Sequence, residues 1–250
     1  EETGYGYFGA RYMDHELMTM WLSVDPMSVK YPSISPFAYC AWNPVKLVDP
    51  DGRKVKTVNK QSQLNIIHSL SKSEAKYVRF DKNGYLDVKR LNQCKSTSTN
   101  FIALRTLAQS KTEHIFSTET RHKDKNNDID LSTPYNQVAN RGVTLMPGNT
   151  EDPSPDNNVY VITSSNLSNK DQVENVAHEG YGHAFLYELQ QQGYNVNPNH
   201  DREQTYIMEY DEEYKSKVIT LIWIEKNTQL QQQIDAAVQE ARQNYQSWIE

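Results

Sequence analysis

Cysteine is nearly absent from this chain: Cys40 and Cys94 are the two among 250 residues. They lie in different regions without a pairing pattern, so a disulfide framework is excluded, and a single bridge is the alternative to two incidental thiols. A long apolar run is missing as well. The longest, "VITLIWI" at 218–224, falls far short of the roughly 20 residues that span a membrane. No charged-then-apolar leader opens the chain. The opening "EETGYGYFG" also lacks an initiator Met, so the expectation is the C-terminal piece of a longer protein, with any export arranged by the missing part or by another protein. Nor is there a positive excess. The formal charge is −6; residues 1–53 hold four Lys/Arg against seven Asp/Glu (−3), and the rest hold 22 against 25 (−3). Without a basic stripe, a nucleic-acid ligand is disfavoured. No internal repeat or low-complexity tract is visible.

What is present falls into two regions. Residues 1–53 are dense in aromatics and turn formers, with short strand candidates such as "YGYFGARY" broken by Asp-Pro and Asn-Pro pairs. Such a piece exposes too many aromatics to fold alone and reads as the end of a larger β structure. From residue 54 the composition shifts to Lys, Asn, Gln and Ser. The spacing of Leu64, Ile67 and Leu70 predicts a helix over 59–75. "YVRFDKNGYLDVKRL" (77–91) reads as a hairpin turning on Asn83-Gly84. A helix over 98–110 follows, then strands at "EHIFSTET", "GVTLMP" and "NVYVITSS", separated by polar loops "RHKDKNNDIDLSTP" and "PGNTEDPSPDNN". Ser168, with Asp171 three residues on, predicts the start of a long helix that Gly193 ends. "TYIMEY" and "KVITLIWIEK" predict a hairpin. A final helix begins near Thr228, with Leu230, Ile234, Ala237, Ala241, Tyr245 and Trp248 along one face.

The long helix carries "HEGYGH" at 178–183. Two imidazoles four residues apart on an α-helix differ by about 40° around its axis and can share a zinc ion; five apart, they differ by about 140° and cannot. His178 and His183 are five apart. One inserted residue taken up as a π-bulge removes the excess rotation, and such bulges occur mostly at functional sites. Gly180 and Gly182 flank the insertion, and each costs about 1 kcal/mol relative to Ala in mid-helix, which makes little sense for a purely structural helix. They fit a backbone that must deform or a substrate that must approach. The plainer reading is two surface carboxylate–histidine pairs, Glu174–His178 and Glu179–His183, each at four-residue spacing.

Three sets of residues compete for a third ligand. His200 follows the helix by way of Gly193. The rest of the helix, up to Gly193, carries the chain roughly 13–15 Å from His183, and seven extended residues, up to about 23–25 Å, suffice to return. The acids Glu209, Asp211, Glu212 and Glu213 sit at the expected hairpin turn. Glu240 lies about 110° from the centre of the last helix's apolar stripe. His200 is placed first, with Glu240 and the hairpin acids as alternatives. His15, His68, His114 and His122 have no supporting spacing and are read as ordinary.

The motifs "GYGYFGARYMD", "WLSVDP", "SPFAYCAWNPVKLVDPDGR" resemble the terminal segment of the RHS-repeat-associated core. In that family the repeats form a β cocoon and the segment after the "DPDG" marker is a variable C-terminal toxin. The resemblance implies an upstream RHS shell as partner, and self-cleavage by aspartates of paired Asp-Pro-x-Gly motifs. Asp49 fits the second copy, whereas Asp25, in "DPMS", lacks the glycine; the bland alternative is that both pairs are turns. The hexapeptide is similar to the His-Glu-x-x-x-His motif of dipeptidyl peptidase III, a zinc peptidase with one extra residue in its zincin helix. Much of residues 98–200, notably "NFIALRTLAQ", "VTLMPG" and "QVENVAHEGYGHAFLYELQQQGYNVNPNH", resembles metallopeptidase-type toxin domains attached to RHS cores.

The expectation that follows is an α+β, zincin-like domain with a small mixed sheet against the active-site helix. It would be a zinc-dependent endopeptidase toxin over 54–250, with Zn²⁺ on His178, His183 and His200 and Glu179 as general base. "NVYVITSS" is the strand expected to align a peptide substrate, and Tyr181, Tyr206 or Tyr210 the oxyanion donor. The resemblance implies secretion or delivery into a target cell and a cognate immunity protein. The rivals are a metal-dependent nuclease toxin and a non-catalytic binding module.

Overall fold

A computed structural model describes residues 5–7, 12–14, 55–132, 141–213 and 215–250. The chain divides into two compact units, Glu1–Gly52 and Arg53–Glu250. Of the first, the described part is a short antiparallel pair, β1 (Tyr5–Tyr7) and β2 (Tyr12–Asp14). Cys40 and the self-cleavage candidates Asp25 and Asp49 lie outside the described residues, as does His15.

The second unit is α+β, built on a four-stranded mixed sheet in the order β3 (Val55–Thr57), β4 (His114–Glu119), β8 (Val159–Ser164), β7 (Gly142–Leu145). β3, β4 and β8 run parallel, and β7 pairs antiparallel with β8, Leu145 opposite Tyr160. Alternation along the strands sends Phe116, Val159 and Val161 to the face covered by helices, while Val143, Leu145 and Ile162 point to the other. There they meet Ile129 of β6 (Asp128–Asp130), which pairs with β5 (Arg121–Lys123), and Leu131 just past its end. That small hairpin occupies the segment read from sequence as a polar loop. Its strands are three residues each, with mostly exposed residues, too short and too polar for the alternation to register.

On the helical face, α1 (Lys60–His68) stops where Ser69 and Leu70 are wholly buried, and α2 (Lys72–Ala75) restarts behind a capping box of Ser71 and Glu74. The single helix expected over 59–75 is thus two. The hairpin expected at 77–91 is reduced to a turn: Gly84 takes φ +84 and Phe80 bridges Leu86, but Asp87 then caps a short helix, α3 (Val88–Leu91). α4 (Thr99–Gln109) follows behind its cap, Ser98.

The long helix is one rod in three stretches: α5 (Asn169–Val176), a π-helical turn region (Ala177–Ala184) and α6 (Phe185–Gln191). Ser168 caps its start, accepting from the Asp171 amide. Its end is a Schellman motif: Gly193, at φ +91, donates to Gln190 O, and Tyr194 donates to Leu189 O. β9 (Arg202–Asp211) and β10 (Ser216–Glu225) form the expected hairpin, and α7 (Thr228–Ile249) buries Leu230, Ile234, Ala237 and Ala241. No helix of the described residues is long and apolar enough to cross a membrane.

Candidate metal centre

The widened region departs from an α-helix in its hydrogen bonds. The Phe185 amide donates to Gly180 O, five residues back. Where the widened stretch returns to α-helical bonding a backbone carbonyl needs another donor, and a neighbour supplies it: Gln233 Nε2 of α7 donates to Tyr181 O at 2.8 Å.

The two glycines have a different reason from the one expected. Neither takes a positive φ. They are small because neighbours press on both sides: a Cβ at Gly180 would lie 2.7 Å from Phe116 Cε1, and one at Gly182 would lie 2.6 Å from Ile234 Cγ1. The helix is clamped between the sheet and α7.

With the rod widened, the His178 and His183 rings face each other, centroids 5.2 Å apart. His200 joins them at 5.8 Å from His178 and 4.6 Å from His183. One ring nitrogen from each of the three lies within 4.8 Å of the others. The hydrogen bonds define which nitrogens are free. His183 Nδ1 donates to Pro198 O at 2.6 Å, leaving Nε2 as the lone pair. His200 Nδ1 donates to Glu225 Oε2 at 2.5 Å, which makes Nε2 the acceptor; Arg202 Nη2 donates to it at 3.4 Å, a contact that a metal on Nε2 would replace. Burial drives the His178 pKa down to about 4, with the neighbouring Glu179 opposing the shift, so its ring is neutral across ordinary pH. Burial also lowers the His200 pKa, against the opposing Glu225 hydrogen bond. Three imidazoles converging on one point suit a borderline metal such as zinc.

Glu179 is buried beside them and accepts from the Thr144 hydroxyl at 2.7 Å. The histidines and Glu179 line one cleft of about 530 Å³, whose lining also includes Thr144, Met146 and Asp152. Burial pushes the Asp152 carboxyl above the usual carboxylate range; the charges of Glu179 and Glu151 add to this and His183 opposes it.

The other candidates are elsewhere. Glu240 accepts from the amides of Thr99 and Asn100 at the start of α4, so it caps a helix. Glu209, Glu212 and Glu213 are exposed toward the far end of the hairpin; Glu209 is seven residues from Arg202, roughly 23 Å along a strand. Tyr181 points away from the cleft, fully buried, its hydroxyl 3.0 Å from Ser69 Oγ. Tyr206 and Tyr210 are exposed on β9, outside the cleft lining. The strand "NVYVITSS" is interior to the sheet, flanked by β4 and β7, so it has no edge to offer a peptide; β7 does, among the described residues. Of the histidines read as ordinary, His68 packs on Tyr245 and Trp248. His122 bridges Glu119 and Asp124. His114 is wholly buried beside Glu188.

Sequence reading missed Thr144, Asp152, Arg202 and Glu225. Only Glu225 had a usable signal, since hairpin pairing sets Arg202 opposite Glu225, two residues from His200. Compared with family models, curated proteins and solved structures, the chain matches none, so function rests on the geometry of this site.

Proposed function

We propose that this protein is a zinc-dependent hydrolase that cleaves peptide bonds within polypeptides. One observation carries the reading: His178, His183 and His200 each bring a nitrogen within 4.8 Å of the others, with buried Glu179 in the same cleft. Zinc held by the three imidazoles would supply Lewis acidity toward a water and a carbonyl oxygen. Glu179 is the general base. It takes the proton from the attacking water and returns it to the leaving amine, with Thr144 holding its carboxylate in place. Arg202, whose guanidinium reaches the edge of the histidine cluster, is the donor for the oxygen that gains negative charge; it replaces the tyrosines in that role. An extended substrate lies along β7, whose outer edge has no strand partner among the described residues and whose Gly142, Val143 and Thr144 line the cleft. An edge strand beside a helix that bears both base and ligands is the zincin-like arrangement, and this is the finer fold assignment we propose.

The resemblance of residues 1–53 to an RHS core adds a biological setting. In it, the hydrolase is the terminal cargo of an RHS shell, secreted or delivered into a target cell and held inactive in its producer by an immunity protein. The cleft's mixed lining, with Arg141 and Arg202 against Glu151 and Asp152, offers no basic track for a phosphate backbone. The test is zinc stoichiometry with hydrolysis of casein and of plasmid DNA by wild type and Glu179→Ala. One zinc per chain and a loss of about 10²–10⁴-fold in casein cleavage on Glu179→Ala are expected. Glu179-dependent degradation of DNA without casein would replace peptidase by nuclease. A protein that takes up no zinc would leave a binding module.

A further inference from the structure

His200 is the one member of the triad carried by a loop rather than by the helix, so something must hold its ring. A ligand on a flexible segment loses affinity to the entropy of ordering it, and partners beyond the ligands supply that order. The structure concentrates these partners on Glu225, the last residue of β10. Oε2 accepts from His200 Nδ1 at 2.5 Å. Oε1 accepts from the Asp201 and Asn227 amides, each at 3.0 Å, and Arg202 Nε stands 3.5 Å from Oε2. The next residues complete the knot: Lys226 N donates to Asp201 O at 2.6 Å, and Asn227 Nδ2 donates to Asn197 O and Asn199 O at 2.7 and 2.8 Å. The 197–201 loop is thus fastened from one side by Glu225 and Asn227 and from the other by His183, through Pro198 O.

We infer that Glu225 is a positioning residue for the metal centre: its carboxylate fixes His200 as the Nδ1–H tautomer, aims Nε2 at the point where His178 and His183 converge, and makes the third ligand conditional on closure of the β9–β10 base. This rests on the metal reading above and deepens it. The carboxylate does not touch the ion. Its effect on the ion passes through His200, which separates it from a residue that merely holds the fold.

The test is a cycle of zinc affinities by chelator competition, on wild type, Glu225→Gln, His200→Ala and the double variant, with the visible spectrum of each Co²⁺-substituted protein. Glutamine keeps the shape and one acceptor oxygen but cannot serve the ring and both amides as an ionised carboxylate does. Glu225→Gln is expected to weaken zinc by about 10–100-fold and to change the Co²⁺ spectrum. In the His200→Ala background the same change should leave affinity where it was. Equal weakening in both backgrounds would overturn the inference, because Glu225 would then act through the fold. Unchanged affinity in Glu225→Gln would overturn it while leaving the metal centre intact. A wild type that binds no zinc would overturn the metal reading itself, a result separate from either. Should Glu225→Gln fold poorly by circular dichroism, Asn227→Asp tests the same knot. It keeps an acceptor for the start of α7 but removes the two bonds to Asn197 and Asn199, and weaker zinc that again depends on His200 is expected. Zinc affinity unaltered by it would refute the fastening of the loop.

Discussion

Replacing Gly180 by alanine tests whether the glycines of "HEGYGH" serve space or backbone freedom. The added methyl would lie 2.7 Å from Cε1 and 3.1 Å from Cζ of Phe116, a ring 1% exposed in the core. Carbon contacts settle near 3.5–4.0 Å, so ring and helix must separate by about 1 Å. Overpacking of this kind costs about 1–3 kcal/mol. Alanine recovers about 1 kcal/mol of helix propensity, leaving a net loss of about 1 kcal/mol, or roughly 2–4 °C in Tm for a chain of this size. The residue lies between the two helical ligands, so zinc should bind less tightly as well. Phe116→Leu removes the clashing ring edge. If space is the cause, the double variant is more stable than the two single losses predict, by about 1 kcal/mol, and recovers zinc affinity. Urea unfolding of the metal-free proteins and chelator competition measure both. Additive losses with no recovery would refute the steric account and return the glycine to a backbone role; a Gly180→Ala protein more stable than wild type would refute both.

Glu240 gives a second check on the ligand set. As the cap of α4, its replacement by alanine should cost about 1 kcal/mol of stability and leave one zinc per chain; loss of the metal would reinstate it as a ligand. Glu188 gives a pH signature. Its carboxyl stands 3.2 Å from the wholly buried His114, off-line for a hydrogen bond. Burial pushes its pKa up, but His114 and the Ser110 and Thr112 hydroxyls together hold it below 4.5. A depressed carboxylate contributes stability that is present above its unfolded pKa and lost as pH falls through the folded value. Glu188→Gln should therefore be less stable than wild type near neutrality and flatter below pH 4.5. Urea midpoints between pH 6 and 3 that fall in parallel for both proteins would contradict this.

The elements legible in the sequence were those with a local signature. Ser168 and Gly193 bracket the long helix by cap chemistry that acts within four residues, and the apolar stripe from Leu230 to Ala241 marks α7. The β5–β6 hairpin was illegible because its register depends on Ile129 and Leu131 reaching Val143 and Leu145 across the sheet, a contact between distant segments. The same holds in the cleft. His178, Glu179 and His183 were readable because helix geometry relates them directly. His200 was reachable by a distance argument along the chain. Thr144 and Asp152 come from the edge strand and the loop beyond it, and nothing in their neighbourhood distinguishes them from other polar residues.

The widening itself belongs to the second kind. An eight-residue departure from α-helical bonding would be unfavourable in isolation, since it leaves carbonyls unpaired. Here Gln233 pairs the Tyr181 carbonyl and Thr144 ties down the Glu179 side chain, while Phe116 and Ile234 hold the rod from opposite sides. Those four residues come from β7, α7 and β4, none contiguous with "HEGYGH". The hexapeptide permits the geometry through its two small residues, and the surrounding fold imposes it. It follows that transplanting the hexapeptide into a solvent-exposed helix would restore the five-residue separation of the two imidazoles, because no neighbour would remain to keep the turn open.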